Sequence, residues 1–352
     1  MIYSNKTNES LALFCANGRG IQRYDSNVYS IFDKLQKQQR GQFWTPDEID
    51  LSQDKNDLVK SQEHEKFILT ENIKQLIFLD SVQGRGLTQT LGRVCSNNEL
   101  EALILSWQFF EQLHSESYTE IIRNVYPKPE VIFDDIAHNS DLLEKTEPIA
   151  KEYNDIYKSI NMYENNEMSR DELMVKIIRF VVVINILEGV RFYSGFASIW
   201  AMHKSSGIFE GIAKVLKLIA RDENLHLSAS QSILKILKKT EPKAWSVFEP
   251  EITKMYEEAY EEELTWLKYL FSRGEILGLS EQILTSYVQF IINKRLKTLG
   301  LPLMFDISTR AGANPLPWIS EYLDFGAVEV LPQEAQIINY NVGVLNTKEK
   351  LF

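Results

Sequence analysis

An all-α fold, a bundle of long helices, is what this sequence predicts, and three observations predict it. Apolar residues recur at i, i+3 and i+4 through almost every segment from Asp25 to the stretch ending at Gly300. The periodic stretches outrun the mean globular helix of about 11–12 residues, as the helices of bundles do. The one β-branched run, "FVVVINIL" from Phe180 to Leu187, has no Gly or Pro punctuation before Gly189. It therefore reads as part of a helix that is apolar all round and buried centrally.

Residues 1–24 show no period and are expected to be irregular. "NVYSIFDKLQKQQ" opens the helical pattern, followed by "HEKFILTENIKQLIFLDSV" and "NELEALILSWQFFEQLHSESYTEIIRNV". Pro127 and Pro129 mark a loop, since proline removes a helical hydrogen bond and clashes with the preceding turn. The pattern resumes in "DLLEKTEPIAKEYNDIYKSINMY" and runs on through "RDELMVKIIRFVVVINILEGVRFYSGFASIW", read as one helical stretch. "SGIFEGIAKVLKLIARDENLHLSASQSILKILKK", "WSVFEPEITKMYEEAYEEELTWLKYLF" and "SEQILTSYVQFIINKRLKTLG" complete the set. The period is lost in the closing stretch, which contains Pro315, Pro317 and Pro332. The expected organisation is an irregular segment over 1–24, one bundle domain over 25–331 and a mobile tail over 332–352.

Composition excludes several classes of function. The formal net charge is −11 and no Lys/Arg cluster is interleaved with aromatics, which argues against a nucleic-acid surface. Cys15 and Cys95 have no zinc-like spacing and cannot build a disulfide framework, so a reducing compartment fits. The longest apolar run is too short to span a bilayer and the first residues lack a signal design. A soluble, cytoplasmic protein is the expectation.

Chemistry enters where helices bury acids. Glu111 and His114 stand i, i+3 in "SWQFFEQLHSESYTE", on the side that carries Ile104 and Trp107. Glu223 and His226 repeat the spacing in "RDENLHL", behind Leu216 and Ile219. Two of the five histidines of the chain thus stand in the same Glu-x-x-His context. Asp80 follows Ile73 and Ile77 by seven and three residues, and Glu188 follows Ile184 by one turn. A single buried acid could pair with an arginine such as Arg191. Two acids and two Glu-x-x-His pairs on four helices instead match a ferritin-like di-metal carboxylate bundle, with Asp80 replacing one Glu. Carboxylates with imidazole suit iron or manganese, and two divalent ions balance four carboxylates. Tyr118, one turn beyond His114, stays on the metal-facing side. It reads either as an amphipathic core tyrosine or as a redox partner, for which Phe192, Phe196 and Ile219 would form the dry wall.

These residues, with "IQRYDSNVYSIFDKL", "QFWTPDEIDLS", "FLDSVQGR", "LEGVRFYSGFA", "LIARDENLHL" and "NPLPWI", resemble the small, radical-generating subunit of class I ribonucleotide reductase. The resemblance is collinear from about Arg23 to Tyr340. It implies Asp80, Glu111 and His114 as ligands of one iron and Glu188, Glu223 and His226 as ligands of the other, with Glu111 and Glu223 bridging. It implies two Fe ions per chain, although Mn/Mn and Mn/Fe pairs share these donors. Tyr118 matches the radical tyrosine, with Asp80 placed to exchange its proton. The implied radical route runs through Trp44, Asp222 and His114 and leaves by Tyr340 towards a large catalytic subunit, which the tail would dock. A homodimer, with surface near Phe109 and Phe110, and an external electron donor are also implied.

Glu116 and Gly195 stand where arginine and serine are common in that family, and "LALFCANGRG" replaces the usual N-terminal segment. An R2-like oxidase or hydroxylase acting on a bound small molecule is a second reading of the same ligands. Iron storage is a third, disfavoured by Tyr118, Trp44 and the proline-containing tail, none of which storage needs.

Overall fold

The computed structural model describes residues 12–16 and 21–324. Its helices are α1 (Ser30–Gly41), α2 (Ser52–Lys60), α3 (Glu63–Gln89), α4 (Leu91–Val94), α5 (Asn98–Val125), α6 (Pro129–Ile136) and α7 (Ser140–Glu164). They continue with α8 (Arg170–Ile186), α9 (Phe192–Ser206), α10 (Glu210–Thr240), α11 (Pro242–Leu270), α12 (Glu281–Leu299) and the short α13 (Ser320–Leu323). Among the described residues the only β pairing is two isolated bridges, so the all-α expectation holds.

The helix ends follow the local chemistry. Asn97, Asn139, Ser169 and Ser280 each accept a backbone N–H of the first turn that follows, capping α5, α7, α8 and α12. Gly207, with φ +67°, supplies the left-handed residue that ends α9 before α10 begins.

The α3/α5 pair, the α8–α9 run and α10 form the centre of the bundle. α1 and α2 cover α5 and α10, α7 and α11 flank α8, and α12 packs on α11. Phe180, Val181, Val182, Ile184 and Ile186 are all buried, as a helix apolar on every side requires. Each such side chain contributes about 1.5–3 kcal/mol on leaving water.

Two boundaries differ from the sequence reading. The stretch read as one helix is α8 and α9 joined by a π-helical turn, Leu187–Arg191, which contains Glu188. The first helix begins at Ser30, three residues after the pattern opens at Asn27, because the backbone N–H groups of Val28 and Tyr29 donate to the Glu99 carboxylate instead of joining a helical ladder. Residues 13–15 are irregular yet docked: Ser96 N–H donates to Leu13 C=O and Cys15 N–H to Val94 C=O, both at 2.8 Å. Phe110 is buried inside the chain, so of the Phe109/Phe110 pair only Phe109 is surface. The tail 332–352, with Tyr340, lies outside the described residues.

Candidate metal centre

Four helical segments deliver the six singled-out ligands to one place. Asp80 comes from α3, Glu111 and His114 from α5, Glu188 from the π-turn, and Glu223 and His226 from α10. All six side chains are fully buried. They form two sets whose donor atoms lie within 4.8 Å of one another: Asp80, Glu111, His114 and Glu223, and Glu111, Glu188, Glu223 and His226. Glu111 and Glu223 belong to both sets.

The two imidazoles are held alike. His114 Nδ1 lies 3.1 Å from Glu223 Oε1 and 3.4 Å from Glu111 Oε2, while its Nε2 faces Asp222 Oδ2 at 3.3 Å. His226 Nδ1 lies 2.9 Å from Glu111 Oε1 and 2.8 Å from Glu223 Oε2. Its Nε2 meets the side-chain amide of Gln39 at 2.6 Å. In the Nε2–H tautomer, which leaves Nδ1 for an ion, the Gln39 amide would present its Oε1, otherwise without a partner, to the ring. In that tautomer each Nδ1 would face an ion, and each Nε2–H would be fixed by an acceptor outside the centre, Asp222 for His114 and Gln39 for His226.

The electrostatics ask for cations. Burial, then the neighbouring Glu111 and Glu188, push the Asp80 carboxyl well above the usual range. Burial, then Glu223 and Glu111, do the same to Glu188, and burial with Glu111 drives Glu223 up to about 8. Burial works against the charged form of Glu111 too, but the His226 and His114 imidazoles outweigh it and hold that carboxyl down to about 2. Burial disfavours His114 protonation, yet Glu223, Asp222 and Glu111 raise it well above an ordinary imidazole. Four carboxyls in one dry pocket cannot all ionise without compensation. Asp80 Oδ1 and Oδ2, Glu111 Oε2, Glu188 Oε2, Glu223 Oε1 and His114 Nδ1 are all buried without a hydrogen bond. Such orphaned, converging hard donors fit a pair of divalent cations, whose charge matches four carboxylates.

Tyr118 is fully buried on α5, and its hydroxyl makes no hydrogen bond of normal geometry although it interacts with the Asp80 carboxyl. Burial, then Asp80 and Glu223, drive its phenol well above the ordinary value, so it holds its proton. Phe192 and Phe196 on α9, stacked with centroids 6.0 Å apart, and Ile219 on α10 are fully buried in the same core. Trp44 Nε1 donates to Asp222 Oδ2 at 2.8 Å, and the Trp44 ring stacks on His114 with centroids 6.4 Å apart. Trp44, Asp222 and His114 are therefore one hydrogen-bonded string.

The model of the ribonucleotide reductase small chain matches residues 26–315. The chain belongs to that family. The ribonucleoside-diphosphate reductase subunit beta of Buchnera aphidicola is 38% identical, over 98% of this chain and 95% of the relative. That of Haemophilus influenzae is 36% identical, over 98% of this chain and 96% of the relative. Among solved structures, the ribonucleotide reductase R2 subunit from Clostridium botulinum superposes with a TM-score of 0.82 at 27% identity, covering 92% of this chain and 97% of that one. As a ribonucleotide reductase small subunit, the chain is part of an oxidoreductase and implies a large-subunit partner. No helix among the described residues is long and apolar enough to cross a membrane.

Three side chains around the small subunit's centre, Gln39, Gln83 and Tyr153, escaped the sequence reading, and a fourth, Trp107, was read only as part of the apolar side of its helix. Gln39 sits behind His226. Trp107 Nε1 donates to Glu111 Oε1 at 2.7 Å while its ring stacks on His226 with centroids 5.0 Å apart. Gln83 donates to Glu188, and Tyr153 donates to Gln83. Glutamine has no spacing signature, and Tyr153 lies on a helix with no ligand. Only the burial of Gln39 and Gln83 on otherwise apolar faces marks them.

Proposed function

We propose that this small subunit generates and stores a tyrosyl radical at Tyr118 and passes it reversibly to the large catalytic subunit for reduction of ribonucleotides to deoxyribonucleotides. The observation that carries the reading is the pair of four-residue donor sets sharing Glu111 and Glu223, with the Tyr118 hydroxyl facing Asp80. Asp80, Glu111 and His114 would hold one ion and Glu188, Glu223 and His226 the other. The ions are two irons per chain; manganese in one or both positions uses the same donors. Such a pair supplies reduction of O2 coupled to removal of one electron and one proton from a phenol.

The chain's own residues set up the rest. Asp80 accepts the phenolic proton of Tyr118 and returns it when the tyrosine is reduced. Phe192, Phe196 and Ile219 keep water from the neutral phenoxyl. The Trp44–Asp222–His114 string leads outward, with Asp222 accepting from both rings. Tyr340 and the tail 332–352 carry the equivalent to the docked large subunit, so that 25–331 acts as the bundle and 332–352 as its arm. A homodimer through the α5 face carrying Leu105 and Phe109, both more than half exposed, an external electron donor for centre assembly and a cytoplasmic setting complete the reading.

The test is the EPR and visible spectrum after Fe(II) and O2 are added to metal-free protein. An organic radical in wild type that is lost in Tyr118→Phe, with unchanged metal content, is expected. No radical in wild type, or the same radical in the variant, overturns the assignment. Turnover of a small molecule without any large subunit would favour the oxidase reading instead.

A further inference from the structure

Glu188 is the one ligand delivered by a π-turn, where the backbone ladder is least regular. Its two oxygens are treated differently. Oε1 accepts from Gln83 Nε2 at 2.5 Å, whereas Oε2 has no hydrogen bond and lies 3.9 Å from His226 Nδ1. An amide can turn over and present its oxygen instead, which would repel the carboxylate. Gln83 is stopped from doing so by Tyr153, whose hydroxyl donates to Gln83 Oε1. A phenol at this burial keeps its proton and stays a donor, since burial, then Glu188 and Glu111, raise it well above the ordinary value.

The Tyr153 ring is in turn clamped. On one side it stands edge-on to Phe180 of α8, centroids 4.8 Å apart at 85°. On the other it lies against Gly86 of α3, where a Cβ would come within 2.3 Å of the ring. Three helices thus fix a hydroxyl that itself touches no ligand.

We propose that Tyr153 is a positioning residue: by locking the Gln83 amide it holds Glu188 Oε1 and presents Oε2 alone to the ion shared with His226. This rests on the reading of the cluster as a two-ion centre. The consequence is selectivity between the two ion positions, because Glu188 belongs to only one of the donor sets.

The experiment uses full-length, metal-free protein titrated anaerobically with Mn(II) by calorimetry, which needs no turnover. His114→Ala isolates the position built on Glu188 and His226, and His226→Ala isolates the other. Adding Tyr153→Phe should weaken Mn(II) binding about 10–100-fold in the first background, the usual cost of losing an outer partner of a ligand. In the second background it should change binding by less than about threefold, an asymmetry that general loosening of the core would not give. Gln83→Leu should reproduce the selective loss, and Tyr153→Phe should then add almost nothing, because both act along one string. Equal loss in both backgrounds, no loss in either, or additive effects of the two substitutions would overturn the proposal. Wild type binding no Mn(II) would defeat the two-ion reading and the proposal with it. Wild type binding two ions that Tyr153→Phe leaves untouched would defeat the proposal alone.

Discussion

Removing divalent ions and raising the pH from about 5 to about 8 should destabilise this protein, and the sign follows from its buried acids. A carboxyl that holds its proton more tightly folded than unfolded stabilises the fold fully below its unfolded value. That stability is lost as pH rises through the folded value. Asp80, Glu188 and Glu223 are all raised, with burial the largest cause in each, and Glu223 moves from 4.5 to about 8. Protonated His114, raised by Glu223, Asp222 and Glu111 against the opposing effect of burial, acts in the same direction. Glu111, held at about 2, acts oppositely, but its window lies between its ordinary 4.5 and that value, below the range tested.

At about 1.4 kcal/mol per tenfold change in proton affinity, Glu223 alone sets an upper limit on the order of 5 kcal/mol. Urea unfolding in chelator at several pH values should show midpoints that fall towards pH 8. Saturating Mn(II) should remove or reverse that fall, since ions demand deprotonated ligands. Glu188→Gln should flatten the metal-free dependence while abolishing much of the metal-induced gain. A midpoint in chelator that stays constant or rises from pH 5 to 8 in wild type would refute the electrostatic account.

Gly195→Ala should stabilise the fold by about 0.5–1 kcal/mol in urea unfolding, because Gly195 is inside α9 and an added Cβ would meet nothing closer than 3.5 Å. Lys145→Ala should cost about 3 kcal/mol in the same assay. It leaves buried Glu263 with only Ser194 at 2.8 Å and Arg191 at 3.6 Å in place of the 2.7 Å lysine contact. Trp107→Phe keeps the ring stacked on His226 but removes the donor to Glu111. Calorimetry should show weaker Mn(II) binding at both ion positions, because Glu111 belongs to both donor sets.

Much of this molecule was legible before any coordinates. The i, i+3, i+4 recurrence placed the helices, and the paired Glu-x-x-His spacing picked out four of the six residues that converge in the core, because helical periodicity ties spacing to facing. The π-turn was not legible. A run apolar on every side looks the same whether or not one turn is widened, so nothing in "VVVINILEGVRF" marks where the ladder changes. Gln39, Gln83 and Tyr153 were missed because their importance lies in which atom faces which, a property of three-dimensional placement between distant helices. The first helical stretch opens three residues before α1, at Asn27, because Val28 and Tyr29 fit the apolar pattern, while their N–H groups are claimed by Glu99, some seventy residues away in sequence.

The π-turn also decides where this chain tolerates changes in length. An extra or missing residue at 165–167, the exposed part of the loop between α7 and α8, alters only a solvent-facing connection, at a small entropic cost. Within Leu187–Arg191 there is no slack of that kind. A π-turn holds one residue more than the α-turn it replaces, so deleting one residue there would let α8 and α9 fuse into a continuous α-helix with both flanking helices close to their present places, while the residues left in the turn change the direction they face. The Phe192–Phe196 wall would keep its place, but Glu188 would lose the widened turn that brings it to Glu111, Glu223 and His226. Insertions and deletions accepted elsewhere in this chain should therefore be absent from these five residues, even where substitutions within them are tolerated.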